Sequence, residues 1–389
     1  MKKVKSPFLL LAALALLSSC TGDEIPVDPI QENVLPCFIT SDLVLTNRNP
    51  DGIDYYVECV AEVSAGTLRI EPGVEIAFKP GSGLRITNNG SIQAIGLDTM
   101  PIKFNGTGNA PSWLGISIES HSANQMTWCE IKHAGQGMQF NTQVAGYIYD
   151  AASALSIYGT LKMSYCTVSE SGGNGISFTS ESSSSLFKHN SFTHNDGYPV
   201  LCYAGMLYGL NLDSCSYSAN KFQQIALFAR SSNAEIEENI SLLATSIPYA
   251  SISDLFFTGN TSFEAGVTLE IGKEMALGVN ESGKLVMNGT ASQHVIVKGQ
   301  SATAGFWKGL LVNTSSENEF NYLDISDGGN TAYYASEKTN IAIGSANPAK
   351  LTLNNCTSAN YEGNCAVAYS LADGTLVNNS PAITNVCTY

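Results

Sequence analysis

The sequence predicts an all-β fold, a single-stranded right-handed parallel β-helix with an internal duplication. Two observations carry this prediction. Very short alternating strands follow one another with only Gly, Asn or Pro turns between them, and two stretches of the chain repeat each other at a nearly constant offset. Charged residues make up only 14% of the 389 residues, a balance typical of extracellular β-structure.

The strand pattern excludes several other architectures. Consecutive predicted strands occupy residues 68–70, 74–78, 84–86, 92–94 and 102–104. These gaps are too short for crossover helices, which excludes an α/β sheet. A propeller would repeat with a period of about 40–50 residues, and a sandwich would need hairpins between longer strands. A β-helix explains the short strands, because neighbouring coils supply the hydrogen bonds and bury the apolar faces.

Two copies of one pattern, at about 66–176 and 265–367, flank a middle segment with a similar pattern of short strands and turns. The matched segments, at offsets of 190 to 194 residues, are Gly90–Gly96 with Gly283–Gly289, Trp113–Ile118 with Trp307–Val312, and Cys166 with Cys356. We therefore expect residues 36–389 to form one β-helix domain. Asn-rich stretches such as His189–Asn195 fit corners where equivalent side chains stack between coils.

The order of these motifs resembles a known superfamily. The motifs are Val74–Phe78 after Pro-Gly, Gly90–Gly96, Pro101–Phe104, Trp113–Ile116 and Trp128–Gly135. Over about residues 60–370 the chain resembles the pectate-lyase-like right-handed β-helices, specifically surface lipoproteins of Bacteroides-type bacteria. The resemblance implies a fold and a cellular location, and it implies no particular reaction.

The N-terminus predicts export and lipid anchoring. Three lysines in the first five residues precede a ten-residue apolar run at 8–17, which is typical of a signal peptide and too short to span a bilayer. The run ends in Leu-Ser-Ser-Cys20, which resembles a bacterial lipobox. We expect residues 1–19 to be the signal peptide and 20–35 to carry the lipidated cysteine and a flexible tether. An ordinary signal peptide with an incidental Cys20 is the alternative.

This anchor predicts an outer-membrane, surface-exposed protein that contacts the membrane through its acyl chains alone. The chain has a formal net charge of −15, and only 16 of its 19 basic residues lie outside the signal peptide. Nucleic acid is therefore excluded as a partner. No Cys-x-x-Cys pair or Cys/His cluster has zinc spacing, so the sequence predicts no metal site and no cofactor.

Export makes disulfides permissible for the nine cysteines after Cys20. Short loops suggest Cys37 with Cys59, Cys202 with Cys215, and two of the three C-terminal cysteines Cys356, Cys365 and Cys387. Cys129 and Cys166 lie in apolar strand patterns, which favours buried free thiols.

The best binding candidates are outward-facing aromatic and charged side chains. Strand alternation places Trp128, Glu130 and Lys132 outward, and Tyr322 and Asp324 take the equivalent positions in the second copy. An aromatic ring beside a carboxylate suits a sugar, because the ring stacks on the C–H face and the carboxylate accepts hydroxyl bonds. The alternative is that these aromatic residues cover the gap between a coil and an overlying loop.

Catalytic residues are not predicted. The signature runs of pectate-type lyases and of polygalacturonase-like hydrolases are missing. Carboxylate pairs such as Asp324 with Asp327 or Glu237 with Glu238 are too common to be specific. The histidines near Asp196 fit a structural ladder better than a general base, and His133 is predicted to be a solvated turn residue.

The leading hypothesis is therefore a non-catalytic surface lipoprotein that binds glycans or adheres to a surface, its partner an extracellular polysaccharide. The alternatives are a divergent polysaccharide lyase or glycoside hydrolase, and a structural scaffold of a surface assembly. Asp98-Thr99-Met100 resembles an O-glycosylation acceptor of Bacteroides-type bacteria, which makes Thr99 a candidate modification site.

Overall fold

The computed structural model describes residues 33–136, 152–230, 234–333, 337–344 and 348–389. Residues 33–389 form one compact unit. The predicted signal peptide and Cys20 lie outside the described residues. Within the described residues there is no helix long and apolar enough to cross a membrane.

The described residues form 39 strands and two short 3₁₀ helices, at Ala204–Gly209 and Leu212–Ser214. The strands of the first half are β1 (Phe38–Ile39), β2 (Leu43–Leu45), β3 (Tyr55–Val57), β4 (Val60–Val63), β5 (Thr67–Ile70), β6 (Glu75–Phe78), β7 (Gly83–Ile86), β8 (Ser91–Ile95), β9 (Ile102–Gly106), β10 (Ile116–Ile118), β11 (Gln125–Thr127), β12 (Cys129–Lys132), β13 (Ser153–Ile157), β14 (Lys162–Ser164), β15 (Thr167–Ser169), β16 (Asn174–Phe178), β17 (Phe187–Lys188), β18 (Ser191–Thr193), β19 (Val200–Tyr203) and β20 (Ser216–Ser218).

The strands of the second half are β21 (Ile225–Phe228), β22 (Glu235–Ile236), β23 (Ile240–Leu242), β24 (Tyr249–Ser251), β25 (Leu255–Phe257), β26 (Asn260–Glu264), β27 (Thr268–Ile271), β28 (Ala276–Glu281), β29 (Lys284–Asn288), β30 (Val295–Gly299), β31 (Gly309–Thr314), β32 (Glu317–Asn321), β33 (Leu323–Ser326), β34 (Ile341–Ile343), β35 (Ala349–Asn354), β36 (Thr357–Ala359), β37 (Val367–Tyr369), β38 (Gly374–Asn379) and β39 (Val386–Thr388).

These strands stack in register as a parallel β-helix, which confirms the predicted fold class. Sheet A runs through both halves as β1-β4-β7-β10-β13-β16-β19-β21-β24-β27-β30-β33-β36. In the first half, sheet B is β2-β5-β8-β11-β14-β17 and sheet C is β3-β6-β9-β12-β15-β18-β20. In the second half, sheet D is β22-β25-β28-β31-β34-β37-β39 and sheet E is β23-β26-β29-β32-β35-β38. Each regular coil contributes one strand to each of three sheets.

A single apolar core fills the interior from Leu35 to Ile383. Alternating strand residues point into it, so that Leu84 and Ile86 in β7 are almost fully buried while Arg85 between them is only half-buried. This arrangement satisfies the backbone through the coils above and below, and it explains why strands of three residues are stable here.

The corners between strands confirm the asparagine prediction and correct the aromatic one. Trp128 (φ 51°) and Tyr322 (φ 48°), predicted as outward strand residues, are single-residue corners in the left-handed conformation. The Asn190 and Asn195 side chains accept hydrogen bonds from the Cys166 and Ser171 amides at 3.0 and 3.1 Å, which forms the expected asparagine stacking between coils.

The duplication extends to individual hydrogen bonds. Trp113 and Trp307 are both fully buried, and each indole N–H donates to the carbonyl oxygen of the residue 19 positions later, at 2.8 and 2.7 Å. However, equivalent strands of the two copies lie on different faces of the β-helix. The strand after the Trp128 corner, β12, belongs to sheet C, whereas its equivalent after Tyr322, β33, belongs to sheet A.

The cysteine predictions are resolved by coil geometry. Disulfides join Cys37 to Cys59 and Cys365 to Cys387, each across a separation of 22 residues, close to one coil. The predicted pair Cys202 and Cys215 is wrong, since both are free and buried. The reason is that their separation is about half a coil, which places Cys202 in sheet A and Cys215 before β20 of sheet C.

The remaining described cysteines are buried free thiols, as predicted for Cys129 and Cys166. Burial, together with a hydrogen bond to Cys166, raises the pKa of the Cys129 thiol well above its usual value. Burial alone raises the pKa of Cys202 to about 12. The Cys129 and Cys202 thiols therefore carry little thiolate at neutral pH.

We expect the folded protein to resist thiol alkylation at pH 8, because all five described free cysteines are buried and the reagent cannot reach their sulfur atoms. In guanidinium chloride without a reductant, five thiols of the chain from Thr21 onward should react, one for each described free cysteine. Mass spectrometry after iodoacetamide treatment counts the alkylated thiols in the folded and in the unfolded protein. Rapid labelling of the folded protein would contradict the buried positions.

Candidate functional site

The aromatic corner between sheets B and C contains the first predicted binding residue. The Trp128 ring stacks on Tyr165 at 4.6 Å between ring centroids, and Tyr165 stacks on His189 at 5.0 Å. Both faces of the Tyr165 ring and one face of Trp128 are therefore covered by neighbouring rings. Stacking on Tyr165 leaves at most one face of the Trp128 ring for a sugar, and sugar binding by Trp128 stays a prediction.

The equivalent pair in the second copy has internal partners. One carboxylate oxygen of Asp324 lies 2.8 Å from Nδ1 of His294, and the other accepts a hydrogen bond from the Thr357 hydroxyl at 2.6 Å. The His294 ring lies 5.6 Å from the Tyr322 ring. This carboxylate is already engaged within the protein.

Trp128 and Tyr322 do not form one surface. Trp128 lies between sheets B and C, whereas Tyr322 lies between sheets E and A. Eight steps along sheet A, from β10 to β33, separate their coils, which is roughly 35 Å at the usual strand spacing. The two candidate groups are independent.

A cleft on the outer face of sheet C brings Lys132 together with residues that the sequence did not single out. Its floor is a row of outward side chains on four successive strands, one per coil: Tyr56, Ala77, Asn105 and Lys132. The small Ala77 side chain leaves a depression between the tyrosine and the asparagine. The cleft has a volume of about 430 Å³.

The walls come from Glu75, from His133 and from the loop 106–109. Gly106 is required where this loop leaves β9. A Cβ atom at this position would lie 2.7 Å from the Ser112 hydroxyl and 3.3 Å from the His133 Cβ. A larger residue would push the loop away and open the cleft.

Two buried polar atoms in the cleft have no partner among the described residues: Oδ1 of Asn105 and Nδ1 of His133. The opposite ring nitrogen of His133, Nε2, lies 2.9 Å from the Glu170 carboxylate. When Nε2–H donates to Glu170, Nδ1 of the neutral ring is an acceptor. Such buried atoms ordinarily find a hydrogen-bonding partner, so the cleft is suited to a ligand with hydroxyl groups.

His133 is less solvated than predicted, because only 15% of its side chain is exposed. Its position beside Trp113 and the 106–109 loop explains the difference. Glu75 lies 3.6 Å from the Lys103 ammonium group and 3.4 Å from the Asn105 amide. Lys132 forms no ion pair with a described residue, which leaves its ammonium group available to a ligand.

The chain matches one family model. Residues 82–241 match the model described as right handed beta helix region. The match covers most of the first copy and the middle segment, including Asn105, Lys132 and His133, and the parallel sheets extend the right-handed β-helix to both ends of the described chain. Neither the curated proteins nor the solved structures gave a match.

Most of the other candidate residues have structural partners or lie apart from the cleft. Glu130 is in register with Lys103 and Thr167 on sheet C. Asp327 is buried and accepts hydrogen bonds from Gly299 and Ser326 at 3.2 and 2.8 Å. Glu238 accepts the Tyr203 hydroxyl at 2.7 Å.

Thr99 is exposed at the tip of a tight hairpin closed by Leu97 and Met100. This exposure is compatible with modification of its hydroxyl group. The structure does not otherwise test Thr99 as an acceptor, and it stays a prediction.

The sequence gave no signal for Tyr56 or Asn105 as site residues. Along the floor of the cleft the successive spacings are 21, 28 and 27 residues. Because the corner loops differ in length, no constant period marks which side chains become neighbours. Only the sequence position of Lys132, outward after the Trp128 corner, could be predicted.

Proposed function

We propose that this protein is a lipid-anchored surface protein that binds a glycan in the sheet C cleft without cleaving it. Right-handed β-helix regions are common in pectate-lyase-like and carbohydrate-interacting proteins. The observation that carries the proposal is the open polar cleft lined by Asn105 and His133, each of which has a buried polar atom, Oδ1 and Nδ1, without a partner among the described residues.

The remaining groups of the cleft suit a sugar. Tyr56 supplies an apolar ring at one end of the floor, and Lys132 supplies a donor at the other. Glu75 accepts hydroxyl hydrogen bonds from the wall. Sugar sites combine an apolar surface with a few fixed polar groups in this way.

The test is a polysaccharide panel screened with the chain from Thr21 to Tyr389, scored for both binding and product. We expect at least one glycan to bind with its chain length unchanged. Asn105→Ala and Lys132→Met should each weaken that binding roughly ten-fold, since each removes a ligand hydrogen bond or charge from a partly buried site. Calorimetry on the selected glycan measures the change.

A matched control is Asn280→Ala. Oδ1 of Asn280 likewise has no described partner, but this residue lies on β28 of sheet D, far from the cleft. It should leave binding unchanged. New reducing ends or an unsaturated, ultraviolet-absorbing product would overturn the non-catalytic proposal in favour of a divergent hydrolase or lyase. Failure to bind any glycan, with co-purification of an outer-membrane protein, would overturn it in favour of a scaffold.

A further inference from the structure

The outer face of sheet B differs in charge from the rest of the chain. Its six strands carry Arg69, Lys162 and Lys188 and contain no Asp or Glu, although the chain has a net charge of −15. None of the three cations forms an ion pair with a described residue. The face therefore presents free positive charge on an otherwise acidic protein.

The same face has an apolar border at its corner with sheet C. Ile95, Leu97, Met100 and Tyr165 are 40%, 48%, 43% and 40% exposed. Leu97 and Met100 exchange two backbone hydrogen bonds of 3.1 Å each, so residues 97–100 form a tight hairpin. The hairpin also carries one exposed carboxylate, Asp98, so the three cations of the face exceed the single acid at this border by two charges. Large apolar side chains gathered in this way at a surface commonly mark an interaction site.

The hairpin lies directly beneath the aromatic row. The Gly96 amide donates to the Thr127 carbonyl at 2.8 Å, and the Ile102 amide donates to the Trp128 carbonyl at 3.0 Å. The apolar border thus continues from the hairpin through Trp128 to Tyr165.

The second copy shows that the backbone does not require this composition. The residues equivalent to Ile95, Leu97, Met100 and Tyr165 are Asn288, Thr290, Gln293 and Asn355. A tight hairpin forms there as well, closed by Thr290 and Gln293. On sheet E, the counterpart of sheet B, the outward residues include Glu264, Glu317 and Glu319.

We propose that the outer face of sheet B, with the 97–100 hairpin, docks on an anionic lipid surface. Lysine and arginine attract anionic headgroups, and exposed aliphatic and aromatic side chains enter the interfacial region. Exposed leucine and methionine side chains offer a glycan neither hydrogen bonds nor an aromatic face, which disfavours a glycan as the occupant. Two copies meeting face to face would oppose the same cations, which disfavours a symmetric dimer.

The length of the outer face of sheet B fits contact with a lipid surface. Six strands at a spacing of about 4.8 Å give the face a length of roughly 24 Å along the coil axis. The acidic remainder of the protein would be repelled by the same surface, so the charge asymmetry orients the molecule. This contact adds to the acyl anchor predicted from the sequence, and it does not depend on the cleft.

The test is sedimentation of the chain from Thr21 to Tyr389 with vesicles. This chain lacks Cys20, so no acyl group contributes, and it retains the compact unit 33–389. We expect binding to vesicles of phosphatidylglycerol and phosphatidylethanolamine at low salt, and little binding to phosphatidylcholine. High salt should weaken the binding, because screening reduces the attraction.

Two double variants separate the contributions. Lys162→Gln with Lys188→Gln should lower vesicle affinity about 25-fold, or about five-fold for each charge. Leu97→Thr with Met100→Gln installs the residues of the second copy on the same hairpin, and it should lower affinity about ten-fold without affecting folding.

The matched controls are Leu371→Thr, where the leucine is 68% exposed, and Lys284→Gln on sheet E. Both should leave vesicle binding unchanged. Absence of binding to anionic vesicles at low salt, or equal losses in the controls, would overturn the proposal. So would a change of oligomeric state in the hairpin variant, which would assign the face to a second copy, or loss of glycan binding in that variant, which would assign it to a sugar.

Discussion

Trp113→Ala is expected to lower the free energy of unfolding by about 3–5 kcal/mol and to abolish glycan binding. Trp113 is fully buried and stacks on Phe78 at 3.9 Å. Its indole N–H donates to the Lys132 carbonyl at 2.8 Å. The substitution removes a large core side chain and releases the strand end that positions Lys132 and His133. Chemical denaturation and calorimetry measure the two effects.

The internal duplication supplies the control. Trp307 is equally buried and makes the equivalent bond to the Ser326 carbonyl at 2.7 Å. Trp307→Ala should therefore cost similar stability and leave glycan binding intact. Trp113→Phe retains a ring and loses the hydrogen bond, so its cost should be about 1 kcal/mol. Equal binding losses in the two alanine variants would show that binding depends only on global stability.

Removing either disulfide is expected to loosen the end of the β-helix at which that disulfide lies. Cys37–Cys59 links the first two coils and Cys365–Cys387 links the last two, each across 22 residues. Closing a loop of this length stabilises by about 3 kcal/mol in the chain-entropy model. The terminal coils of a solenoid have neighbours on one side only, so they depend most on such links.

In Cys37→Ala with Cys59→Ala, amide hydrogen exchange should accelerate in β1 to β4, while the last coils keep their protection. The variant without Cys365 and Cys387 should show the reverse pattern, which makes each variant the control for the other. Unchanged exchange at the affected end, or equal acceleration at both ends, would contradict a local role for the disulfides.

Part of the candidate site was visible in the sequence. The outward position of Lys132 follows from strand alternation, since Ile131 beside it is buried. The two formed disulfides were predictable in part, because Cys37 and Cys59 are spaced by one coil. The same short-loop argument failed for Cys202 and Cys215, where the spacing corresponds to half a coil and the two residues lie on different sheets.

The aromatic candidates show that strand alternation does not predict which side chains stack between coils. Trp128 is partly exposed, as predicted, but Tyr165 of the next coil covers one face of its ring, and His189 of the coil after that stacks on Tyr165. Nothing in the spacing of these three residues, 37 and then 24 positions apart, indicates that they stack. The length of each coil depends on its corner loops, and those lengths are irregular.

The sequence by itself determined the fold class, the duplication, the inward and outward alternation and the asparagine corners, because these depend on neighbouring residues and on a two-residue period. The tertiary structure alone decided which coils align side by side. It placed equivalent strands of the two copies on different faces of the β-helix, and it brought Tyr56, Asn105 and Lys132 into one cleft. It also gathered on sheet B three cations that form no ion pair with a described residue. These outcomes depend on register between coils, which is fixed by contacts across 20 to 40 residues of chain and not by any local pattern.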